Sequence, residues 1–154
     1  MVVEPSGYAG PLDRTLGLVV TAASDREVVA EIEVTGRLMQ AYGIVHGGVY
    51  CAVNETVCSM GAALTVGLEH QVVGVSNHTR FIRAVREGRL TARARPVDRV
   101  GDHVTWQATI TDDRDRVVAE GTVNLLRLTP RAPEPETGRA AEPETGRAAE
   151  PSPG

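Results

Sequence analysis

The chain has 154 residues, 42% of them hydrophobic and 23% charged, with a mean hydropathy of −0.14, which suits a single globular domain with a sizeable core. A formal net charge of −4 argues against general nucleic-acid binding. No apolar run is expected to approach the ~20 residues of a membrane span, and the N-terminus lacks the basic-then-apolar pattern of a signal peptide, so a cytoplasmic protein with no membrane span is expected.

Residues 1–10, with Pro5, Gly7 and Gly10, read as a flexible lead-in, and Pro11 to Leu16 as one short helical turn. Leu18 to Ala22 and Val28 to Val34 have strand character and are divided by the polar turn Ser24-Asp25-Arg26. Glu31 and Glu33 alternate with Ile32 and Val34, as in a half-buried strand. This hairpin feeds the most distinctive stretch, QAYGIVHGGVYCAVNETVCSMGAAL, from Gln40 to Leu64.

From Val49 to Leu64 every residue except Glu55 is apolar, small or uncharged polar, so the segment predicts a helix buried on nearly all sides with one carboxylate inside it. Burying an unpaired carboxylate costs roughly several kcal/mol, which points to a use for the group. Upstream, His46-Gly47-Gly48 sits where the helix begins. A helix start presents free N–H groups and the positive end of the macrodipole, a suitable seat for a carbonyl oxygen that becomes negative during reaction. Eight residues separate Gly47 from Glu55, roughly 12 Å along a helix, so one copy of the chain cannot bring both to one carbonyl. Two such helices packed antiparallel across a two-fold axis would. Ser59 lies one turn beyond Glu55 on the same face and would hold the carboxylate or a water beside it. Cys51 and Cys58 stand seven apart on this helix, too far for a disulfide between them, and read as small core residues.

Four more strands are predicted at Gln71 to Arg83, Arg89 to Val97, His103 to Thr111 and Val117 to Leu128, split by polar turns. One long helix followed by hairpin-linked strands makes an α+β layer fold. Every basic side chain is arginine, and Arg80, Arg83, Arg86, Arg89, Arg93, Arg95 and Arg99 crowd one stretch. Such forks either bind phosphate oxygens or form the polar face of an exposed strand pair. His70, His78 and His103 are too scattered for a metal site, and no Gly-x-Ser-x-Gly elbow or P-loop is present. The tail after Thr129 repeats EPETGRAA at Glu134 and Glu142; without an apolar residue larger than alanine in the repeat, residues 129–154 are expected to be disordered.

Gln40, His46-Gly47-Gly48-Val49, Glu55 and Ser59, together with VVGVSNHTRFIRAVREG from Val72 to Gly88, resemble the hot-dog-fold acyl-CoA thioesterases of the PaaI-like and 4-hydroxybenzoyl-CoA thioesterase branch. Ala84 departs from that pattern, where many members carry proline. The resemblance implies a long central helix wrapped by an antiparallel sheet of about six strands, over residues 11–128. It implies hydrolysis of an acyl-CoA thioester at a site shared by two subunits of a homodimer, within a dimer of dimers. No cofactor is implied, since coenzyme A is part of the substrate, and no metal. Carried over by position, Gly47 would polarise the thioester carbonyl, Gln40 and His46 would orient it, Glu55 would be nucleophile or general base, and Ser59 would support it. Gly48, Asn54, Asn77, Arg80 and Arg83 are the substrate-binding candidates. His46 also reads as a simple helix cap, and Gly48 as a close-packing residue. Two rival readings are a non-catalytic acyl-CoA-binding module on the same fold and an enoyl-CoA hydratase or dehydratase; the latter would need an aspartate that the helix stretch lacks.

Overall fold

The structure, a computed structural model, describes residues 10–128. The lead-in before Gly10 and the repeat tail expected to be disordered lie outside the described residues. A short helix α1 (Pro11–Leu16) leads into strands β1 (Leu18–Ala23) and β2 (Val28–Glu33). A 3-10 turn (Gly36–Leu38) and a loop precede the long helix α2 (Gly47–Val66). Strands β3 (Gln71–Phe81), β4 (Arg89–Val100), β5 (His103–Thr111) and β6 (Val117–Leu128) complete a six-stranded sheet in the order β1-β2-β4-β5-β6-β3, antiparallel throughout. One helix wrapped by such a sheet is the hot-dog arrangement that the sequence resemblance implies. Each predicted element is present, displaced at its ends by at most three residues.

Strand alternation explains how the sheet closes on the helix. In β4, Leu90, Ala92 and Ala94 are buried while Arg89, Arg93 and Arg95 are exposed; in β5, Val104, Trp106, Ala108 and Ile110 form the inner row. Alanines and Gly121 on the inner face let α2 approach closely, and Gly61 on α2 leaves room for the fully buried Trp106 ring, with which a Cβ would collide. On the outer face Arg89 pairs with Glu31 at 3.2 Å and Arg95 with Glu27 at 2.8 Å. Exposed pairs of this kind contribute about 0–1 kcal/mol each, so the inner row carries the stability.

Two expectations change. With 20 residues and a mean hydropathy of 1.2, α2 is long and apolar enough to cross a bilayer, contrary to the sequence expectation; about half of it is buried within the sheet, as in a core helix. Nor is α2 buried on all sides. Cys51, Glu55 and Ser59, spaced four apart, form a half-buried stripe, because the sheet ends there at β3.

Strand β3 carries the feature that builds the site. Its pairing with β6 shifts between Gly74 and Ser76, so Val75 is an extra residue. The insertion reverses the phase of everything after it. Gly74 faces the helix before the bulge, and Asn77, Thr79 and Phe81 face it afterwards, while Ser76 bonds to Asn124 on the other face.

Candidate active site

The start of α2 is capped by its own histidine. His46 Nδ1 accepts a hydrogen bond from the Gly48 N–H at 2.9 Å, which puts the ring proton on Nε2. The His46 N–H donates to the Leu38 carbonyl at 2.8 Å, anchoring the turn. A Cβ on Gly48 would lie 3.0 Å from His46 Nδ1, so Gly48 serves the cap, and its engaged N–H is not offered to a substrate. That leaves the Gly47 N–H, the first of the helix, with no partner among the described residues.

Gly47 opens onto a cavity of about 210 Å³ that it shares with Gln40, Tyr50, Phe81, Ile82 and Arg83. Gln40 is placed there by a tight loop: its N–H donates to the Ile44 carbonyl and its carbonyl accepts from the Gly43 N–H, each at 2.9 Å. Gly43 turns the chain at φ 67°, a conformation that favours glycine. Burial pushes the Tyr50 phenol up to about 12, so it stays protonated, and its hydroxyl is buried without a partner among the described residues.

Glu55 lies two turns further along α2, against β3. Its Oε2 accepts from Asn77 Nδ2 at 3.0 Å, and the same amide donates to the Cys51 carbonyl at 3.0 Å. Ser59 Oγ stands 3.4 Å from Oε1, a long contact that puts the hydroxyl beside the carboxylate, as the one-turn spacing predicts. Gly74 makes the seat, because a Cβ there would collide with Oε1. Cys58 is fully buried next to this carboxylate, and burial, reinforced by the Glu55 charge, pushes its thiol up to about 12; it remains a thiol at neutral pH. Both cysteines are free.

The remaining candidates divide. Asn54, expected at the substrate, has no exposed surface: it is enclosed between α2 and β6 and donates to Thr79 Oγ1 at 3.0 Å. Arg80, also expected there, falls on the outer face of β3 because of the bulge and lies 3.8 Å from Glu120. Arg83 does line the Gly47 cavity. Among the described residues no cluster of three or more His, Cys, Asp or Glu could hold a metal ion. Sequence reasoning missed Gly74, Thr79, Phe81 and Tyr50. The available signals were a glycine inside a strand, which marks a bulge or a close approach, and the alternation Asn77, Thr79, Phe81.

Comparison with known proteins gives a consistent picture. Residues 42–119 match the family described as the thioesterase superfamily. The structure of a Mycobacterium tuberculosis protein named "putative esterase Rv1847/MT1895" is 42% identical and superposes with a TM-score of 0.77 over 80% of this chain and all of that one. Thioesterase HI1161 of Haemophilus influenzae is 26% identical, with a TM-score of 0.78 over 84% of this chain and 91% of its own. A 1,4-dihydroxy-2-naphthoyl-CoA hydrolase of Listeria monocytogenes is 26% identical over 107 residues, covering 70% of this chain and 87% of that protein.

Proposed function

The chain belongs to the thioesterase superfamily, and from that premise we propose that it hydrolyses an acyl-CoA thioester at a site completed by a second copy of itself. The observation that carries this reading is the division of α2. An unpartnered Gly47 N–H opens on a cavity at one end, while Glu55, held by Asn77, sits eight residues away, about 12 Å along the axis. One carbonyl group cannot touch both within a single chain. An antiparallel pair of α2 helices related by a two-fold axis would bring Glu55 of each copy to Gly47 of the other. The terminal strand β3 supports such a pairing, having one unpaired edge and the exposed apolar side chains Val73, Val75 and Phe81. The Listeria relative, by its name a CoA-ester hydrolase, supports the choice of substrate class.

In this mechanism the thioester oxygen accepts the Gly47 N–H, and the helix dipole favours the negative charge that develops on it. Glu55 either takes a proton from water as hydroxide adds to the carbonyl carbon, or adds to that carbon itself. In both routes the tetrahedral oxyanion collapses, the C–S bond breaks and coenzyme A leaves as a thiolate. The direct route passes through an anhydride that water then opens. Gln40 and Arg83 border the cavity where the acyl or pantetheine portion would lie.

A panel of acyl-CoA esters assayed with a thiol reagent, with Glu55→Gln beside the unaltered protein, tests the reading. Release of thiol from at least one ester, lost in the variant, is expected. No release from any ester, or equal release by the variant, overturns it. Sedimentation should give a dimer or a multiple of one, and a monomer in the active preparation would remove the shared site.

A further inference from the structure

A chain of hydrogen bonds runs from the buried side of α2 to the carboxylate on its open side, and its direction can be deduced atom by atom. The Cys51 carbonyl and the Glu55 carboxylate can only accept, and one amide group of Asn77 lies 3.0 Å from each. That group is therefore the NH2, with one hydrogen for each acceptor. The Asn77 carbonyl consequently faces Thr79 Oγ1 at 2.7 Å, where the threonine must donate. With its hydrogen so engaged, the Thr79 hydroxyl can only accept from Asn54, whose amide lies 3.0 Å away, so Asn54 presents nitrogen there.

This leaves Asn54 Oδ1 buried with no partner among the described residues. An orphaned buried acceptor is destabilising because its lost hydration is not replaced, and a leucine at this fully enclosed position would avoid that. Gly121, directly across from Thr79 on β6, accommodates the amide: a Cβ there would collide with Asn54 Nδ2 and come within 3.0 Å of Thr79 Oγ1. The fold thus keeps a costly polar group, a glycine to admit it and a bulged strand to align it, all terminating on one exposed amide.

We propose that Asn54 and Thr79 are positioning residues for the reaction, acting on Glu55 through Asn77. Without the Thr79 hydroxyl, the carbonyl of the Asn77 amide faces no donor on its inner side. The Cys51 carbonyl and the carboxylate still select its NH2 end, but the exposed side chain has lost the donor that fixes its far end and is free to swing away from Glu55. Glu55 loses its held orientation while substrate contacts at Gly47 and the cavity remain. The inference rests on the thioesterase reading given above.

The test separates positioning from simple packing. Thr79→Val removes the hydroxyl at nearly constant shape but leaves Asn54 unpaired, and it is expected to lower both kcat, by about 10–100-fold, and Tm, with KM changed by less than about twofold. Thr79→Ser retains the hydroxyl and should retain kcat. The double variant Asn54→Leu, Thr79→Val removes the buried amide together with the hydroxyl it relied on, so its Tm should recover, yet kcat should stay as low as in Thr79→Val. Recovery of kcat along with Tm in the double variant overturns the proposal, as does a fall in Thr79→Ser equal to that in Thr79→Val. The side-chain NH2 resonances of Asn77 provide a readout that needs no turnover. They should move, and their exchange with water quicken, in Thr79→Val but not in Thr79→Ser. A protein that hydrolyses no thioester refutes the functional reading, whereas unmoved Asn77 resonances refute the relay whatever the activity.

Discussion

Gly61 and Gly74 mark two sides of α2 and solve one steric problem in opposite senses. At Gly61 the helix gives up its side chain so that the fully buried Trp106 ring of β5 can lie against it. At Gly74 the strand gives up its side chain so that the half-buried helix carboxylate Glu55 can reach the exposed Asn77. One contact binds the helix to the middle of the sheet; the other presents an acid at its edge. The same residue type therefore makes room for a large ring in the one place, and seats a charged group that stays reachable in the other.

Removing the acid itself should have the largest effect. Glu55→Gln should lower kcat by about a thousandfold or more while the midpoint of thermal unfolding stays close to that of the parent, read by steady-state thiol release and by circular dichroism. Gly74→Ala is the sharper cut, since it leaves the carboxylate in place but pushes it from its seat. A displacement of about 1 Å should cost about 100-fold in kcat, with little loss of stability because the atom displaced is the end of a half-buried side chain. Gly61→Ala should do the reverse: overpacking against Trp106 should cost about 1–3 kcal/mol in urea unfolding, with kcat per folded molecule nearly unchanged. If Gly61→Ala lost activity and kept stability, the division between the two sides would fail.

A smaller effect lies far from both glycines, in the turn between β5 and β6. The side-chain hydrogen bond from Arg116, aided by backbone N–H groups of Arg116 and Arg114, holds the Asp112 carboxyl down at about 2. A folded-state value below the ordinary one of about 3.9 means that the ionised group stabilises the fold above about pH 4, and that this contribution disappears as the pH falls through about 2. Asp112→Asn should therefore lower Tm at neutral pH, with the difference from the parent closing on acidification. Melting curves from pH 7 to pH 2 would check it.

Much of this arrangement is written in local sequence patterns. A lone acid in an uncharged helix, a histidine and two glycines at its start, and alternating inner and outer residues in each strand are local patterns, and local patterns survive in a string of letters. Periodicity located the helix and all six strands, and the four-residue spacing placed Ser59 beside Glu55. Less legible was which polar residues would meet the acid. Asn54 and Arg80 were plausible by proximity in sequence, but one is sealed beneath the site and the other faces outward.

By itself the sequence determined the helix and the six strands and singled out one carboxylate as the candidate acid, because burial demands apolar periodicity and an uncharged helix makes a single carboxylate conspicuous. Only the tertiary structure decided how that acid is held. The extra residue at Val75 exists only relative to the partner strand β6, and it is this insertion that turns Asn77, Thr79 and Phe81 toward the helix and Arg80 away. A bulge is a mismatch in pairing between distant segments, so no window along one strand contains it.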